Sequence, residues 1–192
     1  MKTIIRKRVL VALMLGTFSS YATGTTLTEK NGTEKKVELI NVKKGQRWSI
    51  KNSEGKVLHQ EEIKNNGSYT QEYDFTSLKN GYYTVEVNKD FQIEIIPFTI
   101  ISGKATFYKK EEKVIFKPVL RTQEHTVLIS KLDFEASPLK VVIYYEGDVI
   151  FKDTLKGGDI LSRIYRLKKD IKGSYKVVMK ANDRIYINEF SL

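Results

Sequence analysis

His59 and His125 are the only imidazoles in a chain of 192 residues that has no cysteine. That pair bounds the chemistry on offer. Without a thiol there is no thiolate zinc site, no cysteine nucleophile and no disulfide exchange. Acid–base catalysis by paired carboxylates needs two acids facing each other across a substrate. The candidates are Glu61-Glu62, Glu111-Glu112 and Asp153, which sit in strands or tight turns among lysines, the setting of a solvated face. A Gly-x-Ser-x-Gly elbow, a His-Glu-x-x-His pair and a phosphate-cradling glycine loop are all absent. His59, in "GKVLHQEEI", is expected to pack at the edge of a core, and His125, in "RTQEHTV", to sit at an exposed strand start. The loops "NGTEKKVE" and "NNGSY" rarely place two acids at calcium-ligating spacing. The sequence therefore reads as non-catalytic, with no metal and no cofactor expected; the alternative is an enzyme with an unfamiliar site, for which a carboxylate pair meeting in space would be the acid and base.

Binding residues are better represented. Arg163, Arg166, Lys168, Lys169, Lys172 and Lys176 make a basic corner whose field would attract an anionic envelope polysaccharide or a lipid head group; the partner expected of the whole protein is a protein or such a polysaccharide. Trp48 and Tyr82 are aromatic candidates for stacking on a sugar ring or anchoring a protein partner. Nucleic acid is not expected, since no stacking or recognition motif accompanies the charge.

The elements that must position these residues come from an internal repeat. Residues 47–100 slide by 92 positions onto 139–192 without a gap, and the identical pairs include Glu54/Glu146, Gly55/Gly147, Tyr73/Tyr165, Gly81/Gly173, Tyr83/Tyr175 and Val85/Val177. Turn and apolar residues are kept while surface residues change, as expected of two copies of one fold. In that alignment Trp48 meets Lys140 and Tyr82 meets Ser174, so the fold itself does not require aromatics there. Tyr83, Val85 and Val87 point to one side of a strand, with Thr84 and Glu86 on the other. Clusters of Gly, Asn, Asp and Lys ("NSEG", "KNNGS", "LKNG", "KGGD") punctuate such runs at roughly ten-residue spacing. The fold class expected is all-β: two tandem immunoglobulin-like antiparallel β-sandwiches, residues 23–101 and 102–192, joined near Ile101–Gly103. Each Gly-x-Tyr-x-Val (Gly81–Val85 and Gly173–Val177) reads as a tyrosine corner, whose phenol bonds back to the backbone of the preceding turn.

These residues carry a family resemblance. "WSIKNSEGKVL" followed by "YDFTSLKNGYYTVEV" is similar to the immunoglobulin-like C-terminal sorting domains of the type IX secretion system in Bacteroidetes, on Ile50, Gly55, Lys56, Val57, Leu78, Gly81, Tyr83, Val85 and Val87. The resemblance covers about 50 residues of the first copy and, more weakly, the second. It implies an exported protein and, as an alternative to a binding role, a terminal module read by the secretion machinery.

Residues 1–22 fit an export signal: a basic head "MKTIIRKR", an apolar "VLVALMLGTF", and small residues Ser20 and Ala22 before cleavage. Its removal takes Lys2, Arg6, Lys7 and Arg8 away and lowers the formal charge from +10 to +6. No segment has the roughly 20 apolar residues needed to span a bilayer. The address expected is periplasm, cell surface or medium.

Overall fold

The computed structural model describes residues 25–30 and 34–192. The expected export signal lies outside the described residues. The described chain begins with β1 (Thr25–Lys30), β2 (Glu34–Val42), β3 (Arg47–Asn52), β4 (Val57–Glu62), β5 (Gly67–Tyr73), β6 (Gly81–Asn88), β7 (Gln92–Ile101), β8 (Lys104–Phe107) and β9 (Lys113–Phe116). It continues with β10 (Val119–Gln123), β11 (Thr126–Leu132), β12 (Leu139–Tyr145), β13 (Asp148–Leu155), β14 (Ile160–Arg166), β15 (Ser174–Ala181) and β16 (Arg184–Ser191). All pairings are antiparallel. Among the described residues no helix is long and apolar enough to cross a membrane.

Strand order repeats. In the first half the sheets run β1-β2-β5 and β4-β3-β6-β7-β8, with β9 also on β7; in the second they run β10-β11-β14 and β13-β12-β15-β16. Each pair of sheets encloses one apolar layer. Val37, Leu39 and Tyr69 of the smaller first sheet meet Trp48, Ile50, Val85, Val87 and Phe98 of the larger one. Val127, Ile129 and Leu161 meet Val141, Ile143, Val177 and Met179 in the second half. With no cysteine to cross-link the layers, burial of these side chains, about 25 cal/mol per Å² of apolar surface, is the main stabilising term.

The gapless repeat conceals a slip. Trp48 sits opposite Val87 and Ile50 opposite Val85, whereas Val141 sits opposite Met179 and Ile143 opposite Val177. The counterpart of Trp48 is therefore Val141, 93 positions on, not Lys140. The second copy closes its β12–β13 hairpin with the two-residue turn Glu146-Gly147, both at positive φ (49° and 92°), a I′-type turn suited to strand twist. The first copy uses a longer loop, in which the Asn52 N–H donates to the Lys56 carbonyl. That extra residue is offset by one fewer between β2 and β3. A slip of one exchanges the two faces of a strand, which is why Lys140 is exposed while Trp48 is wholly buried.

Two further expectations change. Hydrogen bonding carries the first sheet past Ile101–Gly103, because β8 and β9 both pair with β7. The tyrosine corner forms as expected once: the Tyr83 hydroxyl donates to the Lys79 carbonyl at 2.7 Å. In the second copy the phenol bonded to that turn is Tyr145, donating to the Lys172 carbonyl at 3.1 Å. Tyr175 stacks on Phe190 inside the core instead.

The halves meet through charge. Glu86 of β6 accepts from both guanidinium nitrogens of Arg184 (2.6 and 3.1 Å) and from Lys51 at 2.6 Å. A second contact across the join is the edge-to-face pair of Phe116 and Phe134, whose ring centres are 5.6 Å apart. Burial raises the Glu86 carboxyl, but the bonds from Arg184 and Lys51 more than offset it and hold the group below its ordinary value.

Two outcomes follow from these bonds. In urea unfolding, Tyr83→Phe should cost about 1 kcal/mol, and Tyr175→Phe much less, since only the first loses its hydrogen bond to a turn carbonyl. Because the folded Glu86 pKa is depressed, its stabilisation is present above the ordinary glutamate pKa of about 4.3 and is lost as pH falls through the folded value. The halves should uncouple in acid, read by small-angle scattering, and Glu86→Gln should lose that acid transition at a cost of roughly 1–3 kcal/mol.

A groove between two strand edges

The basic corner frames an open groove in the second half. β13 and β14 are the adjoining edges of its two sheets, and between them lies a cavity of about 600 Å³. Its floor is apolar, from Ile143, Ile150, Phe151, Ile164, Leu167 and Ile171. Arg163, Arg166 and Lys168 stand on its rim.

The first half shows why the groove is open. There the corresponding space holds a file of rings: Trp48 on His59 (4.9 Å), His59 on Tyr73 (5.0 Å), Tyr73 on Phe75 (4.8 Å), Phe75 on Phe98 and Phe107 (5.4 and 5.5 Å). Phe75 is turned inward by a short 3₁₀ turn (Phe75–Ser77), capped where Asp74 accepts from the Thr76 N–H. In the second copy Arg166, Leu167 and Lys168 replace Asp74, Phe75 and Thr76. The capping acid is gone, no 3₁₀ turn forms, and the ring that filled the gap becomes a leucine. The same three substitutions put two positive charges on the rim.

Polar chemistry inside the groove is confined to one cluster. Tyr165 donates to Asp153 at 2.9 Å, and Arg163 pairs with the same carboxylate oxygen at 3.2 Å. Burial, and then the bond to Asp153, pushes the Tyr165 phenol well above its ordinary range. It is a fixed hydrogen-bond donor at physiological pH, not a base. Tyr145 closes one end, held by its bond to Lys172. It lies directly against Gly173, where a Cβ would come 2.7 Å from the Tyr145 ring and 2.5 Å from Glu146 Oε1.

The expected binding residues separate on this frame. Arg163, Arg166 and Lys168 converge on the groove. Lys169 and Lys172 belong to the exposed turn beyond it. Lys176 lies on the outer sheet face, its ammonium 4.7 Å from the centre of the Tyr144 ring. Tyr82 stands apart, 73% exposed at the start of β6. Trp48 is corrected: at 0% exposure it is a core side chain and presents no surface to a ligand. His59 stacks in the ring file at the core edge, as expected, while His125 lies in the β10–β11 turn, half-buried, its carbonyl accepting from Leu167 N–H. The groove floor was not anticipated; its signal was the loss of Asp74 and Phe75 in the second copy. Among the described residues no three acids or histidines gather in a form that would hold a metal.

The family described as "Secretion system C-terminal sorting domain" matches residues 31–101, within the first half and away from the groove. The match marks an exported protein. No curated protein matches the chain. Among solved structures, the biofilm associated protein BSP domain is 10% identical with a TM-score of 0.27, covering 84% of this chain. This chain spans 27% of that protein's length. The human OSCAR ligand-binding domain is 8% identical with a TM-score of 0.24, covering 85% of this chain and 92% of its own.

Tightness at Gly173 is directly testable. Gly173→Ala should cost roughly 1–3 kcal/mol, the range for overpacking, and shift the Tyr145 resonances. Gly81→Ala, where the nearest atom to a Cβ is 3.7 Å away, should cost clearly less in the same thermal melts.

Proposed function

We propose that this is an exported, non-catalytic protein of two immunoglobulin-like modules, arisen by duplication, in which the second module binds a protein partner. The groove between β13 and β14 receives an apolar side chain of that partner, and the rim of Arg163, Arg166 and Lys168 receives acidic residues beside it. One observation carries the reading: the ring that fills this space in the first module is missing from the second, which leaves an apolar floor facing water. A floor that is mostly branched aliphatic, with Phe151 the one ring among Ile143, Ile150, Ile164, Leu167 and Ile171, favours a peptide over a polysaccharide, since sugars are held by flat aromatic faces and dense hydrogen-bonding groups. Charge on the rim steers the encounter, so association should slow as salt rises.

A second reading has its own support. The sorting-domain match on residues 31–101 favours a role for the first module in secretion, which would make it the address and the second module the working part.

Panning a peptide library on the mature protein tests the groove. Recovered sequences are expected to place an aliphatic or aromatic residue within two positions of Asp or Glu. Leu167→Phe, which restores the missing ring, should weaken them at least tenfold without lowering stability. Peptides indifferent to Leu167→Phe would defeat the proposal, as would an acidic glycan that binds through Lys168, Lys169 and Lys172 while the groove takes nothing.

A further inference from the structure

The two modules treat one strand edge in opposite ways. β7 and β16 are counterparts, each the last strand paired with β6 or β15. On its far side β7 is covered twice, by β8 along Phe98–Ile101 and by β9 along Gln92–Ile95. Under that cover Ile93, opposite Ile115, is 4% exposed. β16 has no strand on its far side among the described residues. Its Ile185 and Ile187, which stand where β7 has Ile93 and Ile95, are 63% and 59% exposed. Both point away from the core, Ile187 opposite Val178 and Ile185 opposite Lys180 of β15. An edge with unpaired backbone groups and exposed β-branched side chains is a template for an added strand. β16 has no proline to block such an addition, and Glu189 stands where β7 has Pro97.

The chain itself displays what fits. Both strands laid on β7 have the form Lys-x-x-Phe: Lys104-Ala-Thr-Phe107 and Lys113-Val-Ile-Phe116. From this the geometry points to β16 as a docking edge for an extended partner segment of that chemistry, a basic residue followed by alternating apolar side chains, added antiparallel along Ile185–Ser191. Backbone hydrogen bonds supply the common affinity. The partner's apolar residues pack beside Ile185 and Ile187, and its lysine approaches the exposed Glu189. This site is separate from the groove and does not depend on the groove's occupant.

The probe is a synthetic peptide with the sequence of residues 103–118, titrated into the mature protein and followed by amide resonances. Saturable shifts confined to β16 and its neighbour β15 are expected. Ile185→Lys with Ile187→Lys, both at exposed positions, should weaken binding at least tenfold, as should proline at the peptide's Ile115 position; Leu167→Phe should leave it unchanged. Shifts that map elsewhere, no saturable binding, or binding indifferent to the lysine variant would overturn the assignment. So would a concentration-dependent dimer abolished by the same variant and refractory to peptide, because the edge would then belong to a second copy of this chain.

Discussion

A β-sheet has to do something with its edges. Backbone N–H and C=O groups left unpaired in water bond readily to any passing strand, and a sandwich built only from short antiparallel strands has several such rows. This chain has no cysteine with which to staple its layers. Its apolar layers hold only while the sheets stay in register and in pairs. In the first module the problem is solved locally: β8 and β9 lie on β7, and a file of aromatic rings closes the space between β4 and β5. In the second module, among the described residues, no strand covers β16, and the ring file keeps Phe151 with Tyr165 but has Leu167 in place of Phe75; the two candidate binding surfaces lie at these places.

The substitutions that open the second module are few and chemically coupled. Asp74 caps the turn that aims Phe75 at the core, so replacing it with Arg166 removes the cap, and replacing Phe75 with Leu167 removes the ring. Either change alone would leave a partly filled space. Together they expose an apolar floor and charge its rim. Asp153 keeps one face of the cavity ordered by holding both Tyr165 and Arg163, so the polar groups there are fixed rather than mobile. Preorganised polar groups around an apolar floor reduce the entropy lost on binding.

Much of the architecture was legible in the sequence. Period-two alternation placed Tyr83, Val85 and Val87 on the core face, and glycine-rich turns marked the hairpins. The offset of 92 also carries β2 onto β11, while β1 meets β10 at an offset of 93. Reading failed where two single-residue length changes cancel. One residue fewer before β3 and one more after it keep the repeat gapless overall while turning β3 over relative to β12. That is why Trp48 was placed opposite Lys140, and why Tyr145, the counterpart of Asn52, was not expected to take over the corner bond. β8 and β9 are four residues each, too short for periodicity to announce, and their partner lies earlier in the chain. The groove is an absence of volume. An absence becomes visible only when the two copies are superposed residue by residue.

The join between the modules explains why the second does not simply repeat the first. Glu86 and Lys51 on the outer face of the first module's larger sheet receive Arg184 from the second. At the corresponding places the second module has Val178 and Tyr144, and the first has Gln92 where the second has Arg184. The contact is therefore heterologous, with donor and acceptor on different copies, and the chemistry that would pass it on to a further copy is missing. At the place of Glu86 the second module has no acid, and it presents Val178 opposite Ile187 there. A bridge of charges cannot form there, but burial of apolar surface can. The face that serves in the first module as an internal seam is, in the second, chemically suited to a different partner.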